Sequence, residues 1–362
     1  MKKLALLTLT FTLTGALLVG CTSTSTKSDE VVAQEKSASS QEASEGGSVE
    51  KTDTTTIDVY NGTMPIPTSY DNFVVLKNNL VEHFTALGVT PKAAAMAAVP
   101  TGETDSYSTK YYYDGPARVF ANGELDGVEI LPTKMTDDLE QILALKPDFI
   151  VASDSDEQYL EKLEAIAPTY LIPSGDDTES GEDKWKQQHR LIGKLLGKEE
   201  AAEANIAAYE ELSAQYKEAA AGIVEGKTAL VLQLNSKGFK VRMAAEQSQV
   251  YRELGLSIPE GLTEDLASKD VANESGSFPI EMLAPFDPDY IFIDIQSEED
   301  FEALKDTPIW KNLKAVKNNN VMEISHFVWV QSAGPISKTI HLKDVAEFVI
   351  NGTHVTSNPI IE

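Results

Sequence analysis

EQILALKPDFI (residues 140–150) and EMLAPFDPDYI (residues 281–291) are two versions of one phrase. Each opens on a glutamate, reaches Pro-Asp, and closes on an aromatic residue and an isoleucine. The residue before a proline is biased away from helix, so the helical spacing that opens each copy ends at the Pro-Asp pair. Past that pair, Phe149-Ile150-Val151-Ala152 and Tyr290-Ile291-Phe292-Ile293 are each a short continuous apolar run. That is the pattern of a strand covered on both faces. The phrase therefore reads as helix, turn, buried strand, and its recurrence predicts two related halves.

The same alternation extends outward from both copies. In the first half, Phe73–Leu76, Ala93–Val99 and Tyr170–Ile172 read as strands, and Leu80–Leu87 and Tyr159–Ile166 as helices. In the second, Ala229–Leu234 and Val321–Ile324 read as strands, and Val250–Leu254, Ile280–Leu283 and Ile336–Ile350 as helical. Between them, Trp185, His189, Ile192, Leu195 and Leu196 share a helical face, and KEEAAEANIAAYEELSAQYKEAAAG continues with strong helix formers. The expected fold class is α/β: two lobes of parallel-sheet β/α units joined by a single long backbone helix. The expected boundaries are an N-terminal lobe over 56–183, the connecting helix over 184–224, a C-terminal lobe over 225–352 and a tail over 353–362.

Residues 1–20, MKKLALLTLTFTLTGALLVG, have the two lysines, apolar run and small-residue end of a secretory signal. The only cysteine, Cys21, comes immediately after, and Leu-Val-Gly-Cys looks like a bacterial lipobox. That resemblance implies cleavage before Cys21 and its lipidation. Residues 21–55 are dominated by Ser, Thr, Glu and Lys, a composition expected of a disordered tether. The chain would then be held by lipid at the outer face of a bacterial cytoplasmic membrane, its folded part extracellular. Across 362 residues the 57 acidic against 30 basic side chains leave a formal charge of −27. Such a surface repels phosphate backbones and argues against nucleic-acid binding.

Motifs for chemistry are sparse. No Gly-rich dinucleotide loop comes after a strand, Gly197-Lys198 is followed by glutamate rather than Ser or Thr, and no GxSxG elbow occurs. His83, His189, His326, His341 and His354 form no metal-ligand spacing and read as surface or helix-face residues. His326, just after the last strand, stands out among them. Tyr107, Tyr111, Tyr112 and Tyr113 cluster in the loop after the second strand. Loops at that end of a parallel sheet are where ligands bind, so they form either an aromatic cleft wall or an amphipathic edge.

The lipobox, LEQILALKPDFIVAS, YLEKLEAIAPTYLI, IGKLLGKEEAAE and IEMLAPFDPDYIFI together resemble the iron–siderophore-binding lipoproteins of bacterial ABC importers. The likeness runs over roughly residues 56–350 and is nearest to the catecholate and petrobactin-type receptors. It implies a monomeric, non-enzymatic receptor with no intrinsic cofactor and no protein metal site, carrying ferric iron as a chelate. Its partners would be a ferric siderophore and a two-subunit permease with its ATPase. It also implies that Glu140 and Glu281 dock on the permease. Both glutamates open a helical turn, where a carboxylate also suits the helix dipole.

The resemblance places ligand contacts at Ser155, Glu246, Glu274 and Gln296, and near Trp329; Tyr112 and Arg242 complete the expected set. The arginines of the catecholate branch fall here on Ser155, Glu246 and Gln296, none of them basic. Charge-assisted hydrogen bonds are each worth about 1.5–3 kcal/mol, so an anionic tricatecholate would lose several kcal/mol. A neutral or cationic chelate of the hydroxamate type is expected instead, with Arg242, Lys77 and Lys134 as the basic residues that could reach the cleft. Haem held by His326 or a tyrosine is the alternative within transport. A secreted α/β hydrolase and a surface adhesin are alternatives of other classes, disfavoured by the missing nucleophile signature and by the cleft.

Overall fold

The computed structural model describes residues 55–96, 118–131, 139–174, 183–235, 238–242, 247–262 and 278–354. In the N-terminal half, β1 (Thr56–Val59) and β2 (Gly62–Pro65) form an antiparallel hairpin. Then come β3 (Phe73–Val75), α1 (Asn78–Ala86), β4 (Ala93–Ala95), β5 (Glu129–Leu131), α2 (Leu139–Leu145), β6 (Phe149–Ser153), α3 (Leu160–Glu164) and β7 (Thr169–Ile172). Strands β3 to β7 make a five-stranded parallel sheet in the order β5-β4-β3-β6-β7. Every residue of β3, β4, β6 and β7 is buried, as a sheet clad on both faces requires.

The C-terminal half holds β8 (Ala229–Asn235), β9 (Gly238–Arg242), β10 (Tyr290–Ile295) and β11 (Val321–Glu323), in the order β11-β10-β8-β9. β9 runs antiparallel to β8 in a tight hairpin, a departure from the expected run of parallel units. Helices α6 (Glu298–Lys305), α7 (Pro308–Asn312) and α8 (Lys314–Lys317) separate β10 from β11, and a π-helical turn, Phe327–Gln331, leads into α9 (Pro335–Asn351).

Between the halves run α4 (Lys184–Leu195) and α5 (Glu199–Val224). The expected single helix over 184–224 is thus corrected to two. Gly197 takes a left-handed φ of +63°, which closes α4 and lets the chain restart at Glu199. The long backbone helix is α5 alone, whose 26 residues span about 39 Å at 1.5 Å per residue. α9 packs along α5 and also reaches α1 of the other half.

The repeated phrase repeats in backbone geometry as well. Lys146 and Asp287, each preceding the proline, are left-handed at φ +50° and +33°. The Asp148 N–H then bonds the Asn72 carbonyl at 2.8 Å, and the Asp289 N–H bonds that of Thr228 at 3.0 Å, each time just ahead of the neighbouring strand. The copies differ where Ala144 is replaced by Pro285. Proline removes a helical donor and clashes with the preceding turn, and the second copy keeps only a 3-10 turn, Ile280–Leu283.

Candidate functional site

In parallel sheets ligands collect beyond the C-terminal strand ends. Here the start of α1, which follows β3, meets the end of the π-helical turn, which follows β11: Asn78 Nδ2 donates to the Gln331 carbonyl at 3.4 Å.

On the N-terminal edge the chain leaves β6 through a capped 3-10 turn, Asp154–Tyr159. Ser153 Oγ accepts the Ser155 N–H at 3.3 Å, and Asp156 Oδ2 accepts the Ser153 N–H at 3.2 Å. Asp154 binds back to the end of β7: it accepts the Ser174 N–H at 2.8 Å and the Ser174 hydroxyl, and also the Ser153 hydroxyl and Ser155 N–H, both at 2.8 Å. Burial opposes its charge, but the Ser174, Ser153 and Ser155 donors outweigh that and hold its carboxyl below the usual range. Ser155 is therefore on the edge and exposed. Lys77, just after β3, pairs with Asp156 Oδ1 at 2.9 Å, so its charge is already answered by a carboxylate.

On the C-terminal edge the central feature is a pair that the sequence reading missed. Asp294 on β10 is 1% exposed, and its Oδ2 lies 2.5 Å from His326 Nδ1. The carboxylate can only accept, so the imidazole donates and its ring is fixed in place. Gln296 Nε2 is 3.4 Å from the same nitrogen. In register with Asp294 stands Gln233 of β8, whose Oε1 accepts from Arg242 Nη2 at 2.7 Å. The available signal for Asp294 was an acid inside the otherwise apolar strand YIFIDI.

Exposed Ser155 and half-buried Gln296 thus lie at the C-terminal strand ends. Half-buried Arg242 pairs with Val231 near the start of β8, with only its side chain reaching toward Gln233, and Trp329 is not on the edge. It is 1% exposed, and its ring stacks on His341 at a centroid distance of 3.7 Å and packs on Phe292 at 5.3 Å. The π-helical turn rolls it inward, so its expected role as a ligand contact is corrected to a core role. Of the histidines, His83, His189 and His341 are on buried helix faces, His326 is nearly buried and His354 is at the surface. Glu246, Glu274, Tyr112, Lys134 and the lipidation residue Cys21 lie outside the described residues. Glu140 and Glu281 are both exposed, at matching positions of the repeat. Among the described residues no cluster of three or more His, Cys, Asp or Glu side chains could hold a metal ion. No described helix is long and apolar enough to cross a membrane.

The periplasmic binding protein family model matches residues 74–326, which span both sheets and the helices between them. The chain belongs to that family. Periplasmic binding proteins are solute-binding proteins. Among its relatives is the iron-uptake system-binding protein of Bacillus subtilis, 33% identical over 231 residues, covering 61% of this chain and 69% of the relative. Another is the iron(3+)-hydroxamate-binding protein FhuD of the same organism, 29% identical over 280 residues, covering 75% and 79%. A solved Bacillus subtilis structure of the FhuD fold, a periplasmic binding protein component of a Fep/Fec-like ferrichrome ABC transporter, matches with a TM-score of 0.62 at 26% identity. That match covers 81% of this chain and 99% of the solved one.

Proposed function

We propose that this protein captures a ferric siderophore of neutral or cationic type, such as a ferric hydroxamate, between its two sheet edges and delivers it to an ABC permease. The observation that carries the ligand class is the charge at those edges. Lys77 is neutralised by Asp156, and the buried Asp294 adds a negative group beside His326. An anionic tricatecholate would meet carboxylates at both edges, whereas a hydroxamate complex needs hydrogen-bonding groups such as Ser155 and Gln296. The hydroxamate and ferrichrome relatives fit that choice, while a ferric-citrate-binding relative shows that the family also takes other chelates. Haem loses its best axial candidate, because His326 is only 7% exposed.

The ligand is carried unaltered, no resident cofactor is needed, and the protein works as a monomer tethered through lipidated Cys21. Glu140 and Glu281 are the permease-reading residues. Trp185, Trp310 and Trp329 are all buried and report a bound iron chromophore by energy transfer. Titration of that fluorescence with a ferric hydroxamate and with a ferric tricatecholate tests the proposal. The hydroxamate is expected to bind more tightly, and the reverse order would overturn it.

A further inference from the structure

Leu143 is the most exposed large apolar side chain among the described residues, at 57%. A lone exposed leucine is ordinary. This one is placed by the repeat. It lies three residues after Glu140 on α2, so the two side chains share one face of the helix, and Ala144 extends that face. Ile142 between them is fully buried and, with Leu139 and Leu145, anchors the helix to the sheet, so Leu143 is not needed for that packing. In the second copy the same offsets from Glu281 give Ala284 and Pro285, both exposed, with Leu283 buried in place of Ile142. On a 3-10 turn, positions three apart eclipse, so Ala284 stands directly beside Glu281. Neither Glu140 nor Glu281 has an ion-pair partner among the described residues.

Each copy thus shows an uncompensated carboxylate flanked by an apolar strip, and the strip is large on one lobe and small on the other. We propose that the two strips are the apolar halves of the permease-docking surface and that their unequal size sets the direction in which the receptor seats. The partner is a membrane protein surface with two basic pockets. The pocket that receives Glu140 is bordered by a depression deep enough for a leucine, and the one that receives Glu281 by a flat apolar surface. Charge steers the encounter, since a strongly acidic protein approaches a basic surface, while the desolvated leucine decides residence and orientation. This inference rests on the docking role of the two glutamates.

The test is uptake of radiolabelled ferric hydroxamate by cells that carry the cognate permease, with the full-length receptor as wild type, Leu143→Ala, Leu143→Lys, Ala284→Leu, and Glu140→Ala with Glu281→Ala. Fluorescence affinity and thermal stability are measured on each. Leu143→Ala is expected to lower uptake about tenfold, the size of a single apolar hot spot, with affinity and melting temperature unchanged. Leu143→Lys should lower uptake further, and Ala284→Leu should lower it by obstructing the flat site. Wild-type uptake by Leu143→Ala and Leu143→Lys, with the double glutamate variant inactive, overturns this inference alone. Wild-type uptake by the double glutamate variant overturns the docking reading beneath it. A fall in melting temperature or affinity in Leu143→Ala that accounts for the lost uptake would assign the leucine to the fold and also overturn the inference.

Discussion

The carboxylate of Glu82, on α1, caps the start of α9 at Gly334, joining the N-terminal sheet's first helix to the last of the described helices. It accepts the Gly334 N–H, the Ser337 N–H at 2.8 Å and the Ser337 hydroxyl at 2.6 Å, and it is 1% exposed. A helix N-terminus is where a buried carboxylate is best tolerated, because the unpaired N–H groups and the dipole both favour it. Together with the ion pair of Arg118 and Asp344 at 2.6 Å, the cap ties α9 to the N-terminal half.

Gly334 has an ordinary φ of −106°, so its glycine is required by proximity alone. A Cβ there would stand 2.6 Å from Glu82 Cδ, and the three hydrogen bonds leave Glu82 no room to retreat. Gly334→Ala should therefore cost about 1–3 kcal/mol, the range for overpacking a tight site. Glu82→Gln keeps the shape but turns one acceptor into a donor facing donors, and should cost about 1–3 kcal/mol by leaving an N–H unsatisfied. Urea denaturation of both variants checks this. In the double variant Glu82→Ala with Gly334→Ala the clash is gone, so the two losses should not add.

A second prediction concerns acid. His83 Nδ1 and His189 Nδ1 are 3.2 Å apart in the core, and His189 Nε2 is 3.2 Å from Asn205 Nδ2. Burial holds His83 well below its ordinary value, helped by His189. Burial also lowers His189 to about 4, with Glu203 opposing and Arg190 assisting. Both folded values lie below the unfolded value, so the unfolded chain takes up protons first as the pH falls. The stability these groups contribute is complete above about pH 6.5 and declines toward pH 4, by about 3 kcal/mol for His189. Glu82 works in the opposite sense. Burial raises its pKa despite the Ser337 and Gly334 donors, so its contribution grows on acidification and offsets part of the loss. Denaturation midpoints between about pH 7 and pH 4.5 should fall in the wild type and flatten in His189→Gln; an unchanged slope in the variant would remove the histidine pair as the cause.

Trp329 supplies a third. Its ring fills the space between Phe292 and His341 and leaves only 1% of the residue exposed. Trp329→Phe leaves part of that volume empty, and should lower stability by about 1–3 kcal/mol as a large-to-small core change. Affinity for a ferric hydroxamate should stay within about twofold, because the removed atoms do not reach the edge. A large affinity loss with little change in melting temperature would return Trp329 to the ligand surface.

The two-lobed plan was legible because the repeated phrase combines three independent signals: helical spacing, Pro-Asp and a continuous apolar run. β9 was harder to see. GFKVR has one strongly apolar pair and is pinned by its hairpin register with β8, a long-range property invisible to local pattern. Trp329 misled because an aromatic after a final strand reads as a cleft residue, whereas the π-helical turn rotates it inward. Asp294 went unnoticed for the reason that makes it informative: an acid in the middle of a buried strand is silent until its partner, His326, is placed beside it by a different strand.

The repeat also predicts that equivalent positions answer differently to one substitution. Lys146 and Asp287 are both left-handed, at a cost of roughly 1–2 kcal/mol for a residue with a Cβ. Glycine relieves that cost but gives back about 0.5–1 kcal/mol through the freedom of the unfolded chain. At position 146 nothing else is lost, since the local bonds are made by its carbonyl, which accepts from Asn72 Nδ2 at 2.7 Å. Lys146→Gly should therefore raise stability by up to about 1 kcal/mol. At position 287 the side chain is in use: Asp287 Oδ1 accepts the Lys314 N–H at 2.6 Å and so holds the first turn of α8. Asp287→Gly should lower stability, because losing a capping carboxylate costs about 0.5–2 kcal/mol on top of any relief. Asp287→Asn, which keeps an acceptor and tolerates the left-handed region, should restore most of it. Thermal melts of the three variants decide the point. Equal shifts for Lys146→Gly and Asp287→Gly would mean that backbone strain alone, and not the hold on Lys314, governs the second turn.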